Sequence, residues 1–177
     1  IKLNAAAAAL KRLDISVDIA TNVPKLINTD AIRLMQVVSN LLNNAVKFTA
    51  KGQIAIVLTT RFELDQQYLS IKVIDSGIGI EKHKQAHLFD VFTQADESMT
   101  REYGGSGLGL SICKQIVSLL QGKISLESEI GTGCEFDIVI PIDVADKLED
   151  KHKSIVPITI SNIGVSLSTG FINSVIK

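Results

Sequence analysis

Polar side chains recur at helical spacing between residues 33 and 47. These side chains lie three or four positions apart and therefore share one face of a helix: Arg33, Gln36, Asn40, Asn44 and Lys47. Such a stripe is most often a solvent-exposed face. Asparagine, however, is a weak helix former, and its amide oxygen coordinates a hard cation such as Mg²⁺ without adding charge. The stripe is therefore either a solvated surface or one wall of a cation and phosphate site, with Lys47 meeting a phosphate.

The segment DSGIGI at residues 75–80 is the second candidate for chemistry. Asp75 follows the apolar strand pattern IKVI, so its carboxylate is expected at a strand end that faces a pocket. Asp-Ser-Gly is also an ordinary turn sequence. A buried carboxylate accepts from the exocyclic amino group of adenine and rejects guanine, which presents a carbonyl there. The segment is therefore a plain turn, or an adenine pocket in which Gly77 and Gly79 let the backbone approach the base.

Residues 104–110, GGSGLGL, lead into an apolar helix whose first N–H groups would form an anion site. The spacing fits neither the P-loop nor the dinucleotide pattern of three glycines. Taken alone, the segment is equally a hinge. Thr132, in the turn GTG, either converges on the same pocket or simply fills a turn position.

Composition excludes several other functions. The 177 residues are 46% hydrophobic with a net charge of −1, so there is no basic surplus for nucleic acid or an anionic membrane. No apolar run has the length of a membrane span. Cys113 and Cys134 lie in apolar periodic stretches and are expected to be reduced core residues rather than a disulfide.

Hydrophobic periodicity predicts the elements that position these groups. Alternation predicts strands over residues 14–20, 54–58, 69–73, 123–129 and 134–140. Asp30 is expected to N-cap a long helix that ends near Phe48. A second helix is expected to end at Gln121, with Gly122 as its C-terminal cap. The order predicts a two-layer α/β sandwich with a mixed, mainly antiparallel sheet packed on helices.

Taken in sequence, these segments resemble the nucleotide-binding domain of histidine kinases, within the GHKL ATPase superfamily with its Bergerat fold. The resemblance covers roughly residues 14–141 and is carried by QVVSNLLNNAVKFT, DSGIGI, LFDVFTQAD and GGSGLGLSI. The sequences of these motifs are most similar to those of hybrid sensor kinases, whose chains continue into receiver domains. The resemblance implies a protein-histidine kinase domain that binds Mg-ATP and donates the γ-phosphate to a histidine on a dimerisation domain.

The resemblance also implies roles for single residues. Asn44 is implied as the Mg²⁺ ligand, with Asn40 near metal and phosphates and Lys47 on a phosphate, so these three form the catalytic set. Asp75 is implied to read adenine, joined by Thr132. The full set of implied nucleotide-binding residues is Asn40, Asn44, Lys47, Asp75, Gly77, Gly79, Ile80, Phe89, Phe92, Arg101, Gly105, Ser106, Gly107, Leu108, Gly109 and Thr132.

Within that set, the lid over the nucleotide has its own implied parts. Phe89 and Phe92 resemble the aromatic residues that anchor the ATP lid, and Arg101 is placed to reach the γ-phosphate. The resemblance implies that Gly105, Gly107 and Gly109 form the hinge of the lid and the phosphate-binding backbone.

Asn40 bears on the mechanism, and the histidines depart from the family pattern. GHKL enzymes that hydrolyse ATP typically carry a glutamate where this chain has Asn40, which cannot act as a base for water. A kinase domain is therefore expected, with a hydrolytic ATPase or a degenerate nucleotide-binding interaction module as the alternatives. None of His83, His87 and His152 stands in a phosphoacceptor context, so the chain is not expected to autophosphorylate alone. The pair His83 and His87 is expected to lie on a polar helix surface, since no third metal ligand is evident.

The predicted domain organisation has four parts. They are the end of an incoming helix or linker (1–12), the ATP-binding domain (13–142), a charged linker (143–153), and the truncated start of a further domain (154–177). No acidic pair follows IVPITI, so the last part is a degenerate receiver-like domain or a linker that packs elsewhere. The expected partners are a histidine-bearing dimerisation domain of the same or a sister chain and downstream receiver domains. The segment is expected to be a cytoplasmic part of a membrane-bound sensor kinase, without direct contact to membrane or nucleic acid.

Overall fold

The structure, a computed structural model, describes residues 5–90, 108–144 and 155–157. The helices are α1 (Ala5–Lys11), α2 (Ala31–Phe48), α3 (Lys82–Gln85) and α4 (Gly109–Leu119). The strands are β1 (Asp14–Ile19), β2 (Leu26–Asn28), β3 (Gln53–Glu63), β4 (Gln66–Asp75), β5 (Lys123–Glu129), β6 (Gly133–Val144) and β7 (Ile155–Pro157). Within these ranges no helix is at once long and apolar enough to span a membrane.

The strands form one mixed sheet whose central strand carries the candidate carboxylate. Neighbouring strands along the sheet are β1, β3, β4 and β6; β5 and β2 both pair with β6, and β7 pairs with β2. Among the strand pairs that the described residues form, only β1–β3 is parallel. Asp75 is the last residue of β4, opposite Ile54 of β3 on one side and Cys134 of β6 on the other. The predicted mixed, mainly antiparallel sheet is confirmed.

The core lies between one face of the sheet and the helices. Because side chains alternate along a strand, buried residues recur at every second position over part of β3, β4 and β6, as in Ile54, Ile56 and Leu58. The apolar side of α2 and that of α4 join the same cluster, to which Leu41 and Ile116 belong. The predicted two-layer α/β sandwich is confirmed.

The long helix α2 begins and ends as its sequence predicts. The Asp30 carboxylate accepts from the backbone N–H of Arg33 at 3.1 Å, which satisfies one of the free donors of the first turn. The Arg33 side chain also pairs with Asp30 at 3.2 Å. At the other end Thr49 is the C-cap, in extended conformation, directly after Phe48.

Helix α4 ends two residues before the predicted Gln121, and its left-handed cap residue lies one residue before the predicted Gly122. Gln121, not Gly122, takes the left-handed conformation, with φ of 58°. Gln121 donates to the Ser118 carbonyl at 3.0 Å and Gly122 to the Val117 carbonyl at 2.8 Å, the two hydrogen bonds of a Schellman cap. Glycine is needed at 122 for space, because a Cβ there would lie 2.5 Å from the Val139 carbonyl oxygen.

Of the short elements, β2 has no counterpart in the sequence prediction, whereas β7 falls within IVPITI, a possible strand, and α3 carries His83, which was expected on a polar helix surface. Strand β2 pairs with the end of β6, and β7 pairs with β2. The assignment of residues 154–177 to a further domain stays a prediction.

The cap of α4 yields a stability prediction. Gln121→Gly is expected to raise the free energy of unfolding by about 1 kcal/mol, because glycine takes the left-handed conformation without the steric cost of a Cβ. Gly122→Ala, one residue away, is expected to lower the same free energy, because its methyl group meets the Val139 carbonyl. Urea unfolding of both variants measures the difference; a loss of stability in Gln121→Gly would contradict this account of the cap.

Candidate functional site

Asp75 carries a carboxylate that is buried at the end of the central strand. The residue is 6% exposed, and its Oδ1 accepts from the backbone N–H of Gly77 at 2.9 Å. Burial raises the pKa of the Asp75 carboxyl above its ordinary value, and the backbone N–H groups of Gly77 and Cys134 partly offset that rise. The site therefore holds a buried acceptor group whose position is fixed by the main chain.

The glycines of DSGIGI allow the chain to pack tightly around this carboxylate. A Cβ on Gly77 would lie 2.6 Å from the Phe48 carbonyl oxygen and 2.7 Å from Asp75 Oδ1. Gly79 has φ of +71°, and a Cβ there would lie 2.0 Å from the Glu129 carbonyl oxygen. Since no side chain fits at either position, the segment joins the end of α2 to the β5–β6 turn by direct backbone contact.

Two residues that the sequence reasoning missed hold the far end of this segment. The Ile80 N–H donates to Ser128 Oγ at 2.9 Å, and that hydroxyl donates to the Gly133 carbonyl at 2.7 Å. Gln85 Nε2 donates to the carbonyls of Ile80 and Ser128 at 2.7 and 2.8 Å. No sequence pattern distinguishes this serine or this glutamine from others in strands and polar helices.

Asn40 lies where α2 meets the start of α4. Its Nδ2 donates to Cys113 Sγ at 3.1 Å, and a Cβ on Gly109 would lie 2.8 Å from its Oδ1. Gly109 thus brings the start of α4 directly against the Asn40 amide. Asn44, one turn later on α2, is half-buried like Asn40. Cys113 is a further residue that the sequence reasoning did not assign to the site.

Both cysteines are free, as predicted. Cys113 is 1% exposed, whereas Cys134 is only half-buried. Burial raises the pKa of each thiol to about 11, so both are protonated at neutral pH. Cys113 therefore acts as a small neutral partner for the Asn40 amide.

Lys47 presents a partly desolvated cation in the last turn of α2. Its Nζ lies 4.7 Å from the centre of the Phe48 ring, within cation–π distance. Burial lowers the pKa of Lys47. An anion brought to this ammonium group would offset the desolvation that lowers its pKa.

The start of α4 has no side-chain cap among the described residues. Leu108 is the N-cap residue and supplies no side-chain hydrogen bond to the first turn, which contains no acidic residue. The Ser111 hydroxyl donates to the Leu108 carbonyl at 2.9 Å and so does not cap the N–H groups either. Uncapped N–H groups at a helix N-terminus attract anions. Five predicted site residues next to this helix or on the lid lie outside the described residues: Phe92, Arg101, Gly105, Ser106 and Gly107.

Phe89 and Thr132 occupy the margins of the site. The Phe89 ring packs edge-on against Phe136, with ring centres 6.4 Å apart, and so ties its segment to the core. Thr132 is exposed, and its hydroxyl donates to the Glu129 carbonyl at 3.0 Å within its own turn. The predicted adenine contact of Thr132 stays a prediction.

The two histidines of the α3 region pair with separate carboxylates. His83 lies 3.2 Å from Glu81 and His87 lies 3.0 Å from Asp90, and both imidazoles are largely exposed. Across the described ranges, no cluster of three or more His, Cys, Asp or Glu side chains is arranged to hold a metal.

Comparison with known proteins matches most of the chain to one family. A family model described as "Histidine kinase-, DNA gyrase B-, and HSP90-like ATPase" matches residues 29–144. The chain is 45% identical over 131 residues to the autoinducer 2 sensor kinase/phosphatase LuxQ of Vibrio vulnificus (strain YJ016), covering 71% of the chain and 15% of that relative.

Two further relatives are sensor kinases of other organisms. Identity is 45% over 132 residues to the sensor histidine kinase RcsC of Escherichia coli K12, covering 75% of the chain and 14% of RcsC. It is 44% over 148 residues to the peroxide stress-activated histidine kinase mak2 of Schizosaccharomyces pombe, covering 80% of the chain and 6% of mak2. The chain thus spans only a small part of the length of these curated relatives.

Solved structures share the fold. Full-length ShkA in complex with AMPPNP superposes with a TM-score of 0.68 at 29% identity, over 81% of this chain and 28% of that one. The catalytic domain of the histidine kinase ThkA gives a TM-score of 0.61 at 27% identity, over 78% and 86%. The described fold is therefore the Bergerat fold of histidine kinase ATPase domains.

The buried carboxylate yields a prediction of pH-dependent stability. Because the folded pKa of Asp75 lies above the ordinary value of 3.8, the folded chain keeps this proton to higher pH than the unfolded chain. The contribution of Asp75 to the stability of the wild type therefore falls as pH rises from about 4 through the raised pKa. Asp75→Asn removes this loss, while its Oδ1 still accepts from Gly77.

Urea unfolding between pH 4 and pH 8 tests this. Asp75→Asn is expected to be more stable than the wild type near pH 7, by a margin that shrinks towards pH 4. The matched control is Asp18→Asn, on the exposed side of β1, which should not show this trend. If Asp75→Asn instead becomes less stable than the wild type as pH rises, the carboxylate is favoured, not penalised, by its surroundings.

Proposed function

The chain belongs to the histidine kinase-, DNA gyrase B- and HSP90-like ATPase family and carries a histidine kinase catalytic domain, and we propose that this domain binds Mg-ATP and donates the γ-phosphate to a histidine on a separate dimerisation domain. The observation that carries the proposal is the buried Asp75 carboxylate, held in place by main-chain N–H groups. The AMPPNP in the ShkA structure is an ATP analogue bound by a protein of the same fold.

Asp75 is the group that selects adenine in this proposal. Its Oδ1 is engaged by Gly77, and a carboxylate retains further lone pairs that accept from an exocyclic amino group. A base that offers a carbonyl at that position leaves a buried carboxylate without a donor, which discriminates strongly against it. Gly77, Gly79 and Ile80 form the backbone side of this pocket, and Thr132 completes it from the β5–β6 turn.

The face of α2 binds the phosphates and the metal. Asn40 and Asn44 offer neutral amide oxygens on one helix face, a donor set that fits Mg²⁺, which takes few protein ligands beside phosphate oxygens and water. When bound, Mg²⁺ would be held by these amide oxygens and would neutralise phosphate charge. Lys47 supplies a positive charge one turn away, and the uncapped start of α4, at Leu108 and Gly109, supplies N–H donors.

The same helix explains why transfer is favoured over hydrolysis. An amide such as Asn40 has no basic group that removes a proton from water. Its Nδ2 is also committed to Cys113 Sγ. Phosphoryl transfer needs mainly positioning and charge neutralisation, which Asn44, Lys47 and the start of α4 provide for an incoming histidine.

The assignments of the lid, its hinge and the partner domains are based on the resemblance to hybrid sensor kinases. Phe89 anchors the lid through Phe136, and we assign Phe92 and Arg101 to the lid, with Gly105, Ser106 and Gly107 as its hinge. The acceptor is a dimerisation domain of the same or a sister chain, and receiver domains take the phosphate onward. The segment works in the cytoplasm, as part of a sensor kinase, and residues 13–142 form the ATP-binding domain.

A transfer assay with γ-labelled ATP tests the proposal. The chain alone is expected to acquire no label. Addition of a histidine-bearing dimerisation domain from a hybrid sensor kinase should produce an acid-labile, base-stable label on that domain. Asn44→Ala should lower the rate of labelling at least about a hundredfold, the usual scale for loss of a group that stabilises transition-state charge. Asp18→Asn serves as a folded control with an intact site.

Phosphate release in the same assay separates the alternatives. Steady release by the chain alone, abolished by Asn40→Ala, would identify a hydrolytic ATPase instead. Tight nucleotide binding with neither transfer nor release would identify a module that has lost catalysis.

A further inference from the structure

The last turn of α2 is held by a lysine from a different helix. Lys11, the final residue of α1, donates from Nζ to the carbonyls of Val46, Lys47 and Thr49 at 2.7, 2.9 and 3.1 Å. All three donors of the ammonium group are thereby used. Lys11 is half-buried and lies 35 or more positions earlier in the chain.

This contact takes the place of the left-handed cap residue that α2 lacks at its C-terminus. A helix leaves its last four carbonyls without intrahelical partners, and many helices satisfy them with a left-handed residue. The C-cap of α2, Thr49, is instead extended, with φ of −101°. A cation at this end also interacts favourably with the helix dipole. Lys11 therefore caps α2 from outside.

Lys11 itself is fixed in position by the way α1 ends. Arg12 is left-handed, with φ of 52°, and donates to Ala9, while Leu13 donates to Ala8, each at 3.1 Å. These two hydrogen bonds form a Schellman cap. Ala8 and Leu13 are both buried in the core. The ammonium group is thus delivered by a helix end that is anchored to the core.

The one remaining carbonyl of this turn, Phe48 O, contacts the DSGIGI segment of the candidate nucleotide site. Phe48 O lies between the carbonyls that Lys11 binds, and it accepts instead from the Ile78 N–H at 3.4 Å. Gly77 packs against the same oxygen. The Lys47 side chain leaves from this turn as well. The turn is therefore shared between Lys11 on one side and the DSGIGI segment on the other.

We propose that Lys11 is a positioning residue for the nucleotide site: it fixes the last turn of α2 so that Phe48 O faces the DSGIGI segment, and it thereby couples α1 to nucleotide affinity. This inference rests on the proposed function of the site. It predicts that a displacement of α1 that withdraws Lys11 weakens ATP binding without any change in a residue that touches the nucleotide.

Three substitutions at Lys11 and one control test this. Lys11→Met keeps the length of the side chain and removes every donor, Lys11→Gln keeps one amide, and Lys11→Arg keeps a charged donor group. The control is Lys25→Met, which removes an exposed lysine between β1 and β2. For each variant we would measure the affinity for Mg-AMPPNP, the free energy of unfolding in urea, and amide hydrogen exchange.

Lys11→Met is expected to weaken Mg-AMPPNP binding about tenfold, the scale of one charge-assisted hydrogen bond. It should also speed exchange of the Ile78 amide about tenfold more than exchange of the Gly122 amide, which is bonded to Val117 at the far end of α4. Lys11→Gln should lie between Lys11→Met and the wild type, Lys11→Arg should restore most of both effects, and Lys25→Met should change neither.

Two results would overturn the proposal. One is a loss of stability in Lys11→Met with unchanged affinity and equal effects on Ile78 and Gly122, which would make Lys11 a purely structural residue. The other is a failure of Lys11→Arg to restore affinity where it restores stability. If the wild type binds no nucleotide, the proposed function fails, yet exchange at Ile78 still decides whether Lys11 controls this turn. If Lys11→Met does not fold, Lys11→Gln gives the same comparison.

Discussion

The buried carboxylate of Asp75 is the constraint on which the site depends. It ends the central strand, it is 6% exposed, and it is held by the Gly77 N–H. Gly77 fits at this position because it has no side chain, since a Cβ there would lie 2.6 Å from Phe48 O and 2.7 Å from Asp75 Oδ1. The burial raises the pKa of the carboxyl and costs stability, a cost that the large apolar core of the sheet and helices offsets. A destabilising buried group at a site, whose cost is offset elsewhere in the fold, is typical of a functional position.

Helix α2 connects the parts of the site. Near its middle, Asn40 contacts Cys113 and the start of α4. At its end, Phe48 O contacts the DSGIGI segment, and the neighbouring carbonyls are bound by Lys11. A single rigid helix therefore relates the proposed phosphate end of the site to the proposed adenine end, and α1 contacts its last turn through one ammonium group.

The sequence predicted what local chemistry and periodicity determine. The start of α2 follows from the Asp30 side chain, and the sheet follows from alternation that one buried face requires. The cap of α4 was wrong by one residue, because the demand for glycine at 122 comes from packing on β6, not from the turn at Gln121. Gln85 and Lys11 were not predicted at all. Both are common polar residue types that bind a partner more than 30 positions away, Ser128 for Gln85 and Val46 for Lys11, and nothing local in a sequence marks such a contact.

Calorimetric titration of the chain with ATP and with GTP, each with Mg²⁺, tests the central claim most directly, because the two nucleotides differ at the position that the Asp75 carboxylate is proposed to read. The account predicts that ATP binds at least about a hundredfold more tightly than GTP, since guanine leaves the buried carboxylate without a donor. It also predicts that Asp75→Asn loses most of this preference while remaining folded. Equal affinities for ATP and GTP in the wild type would contradict the account.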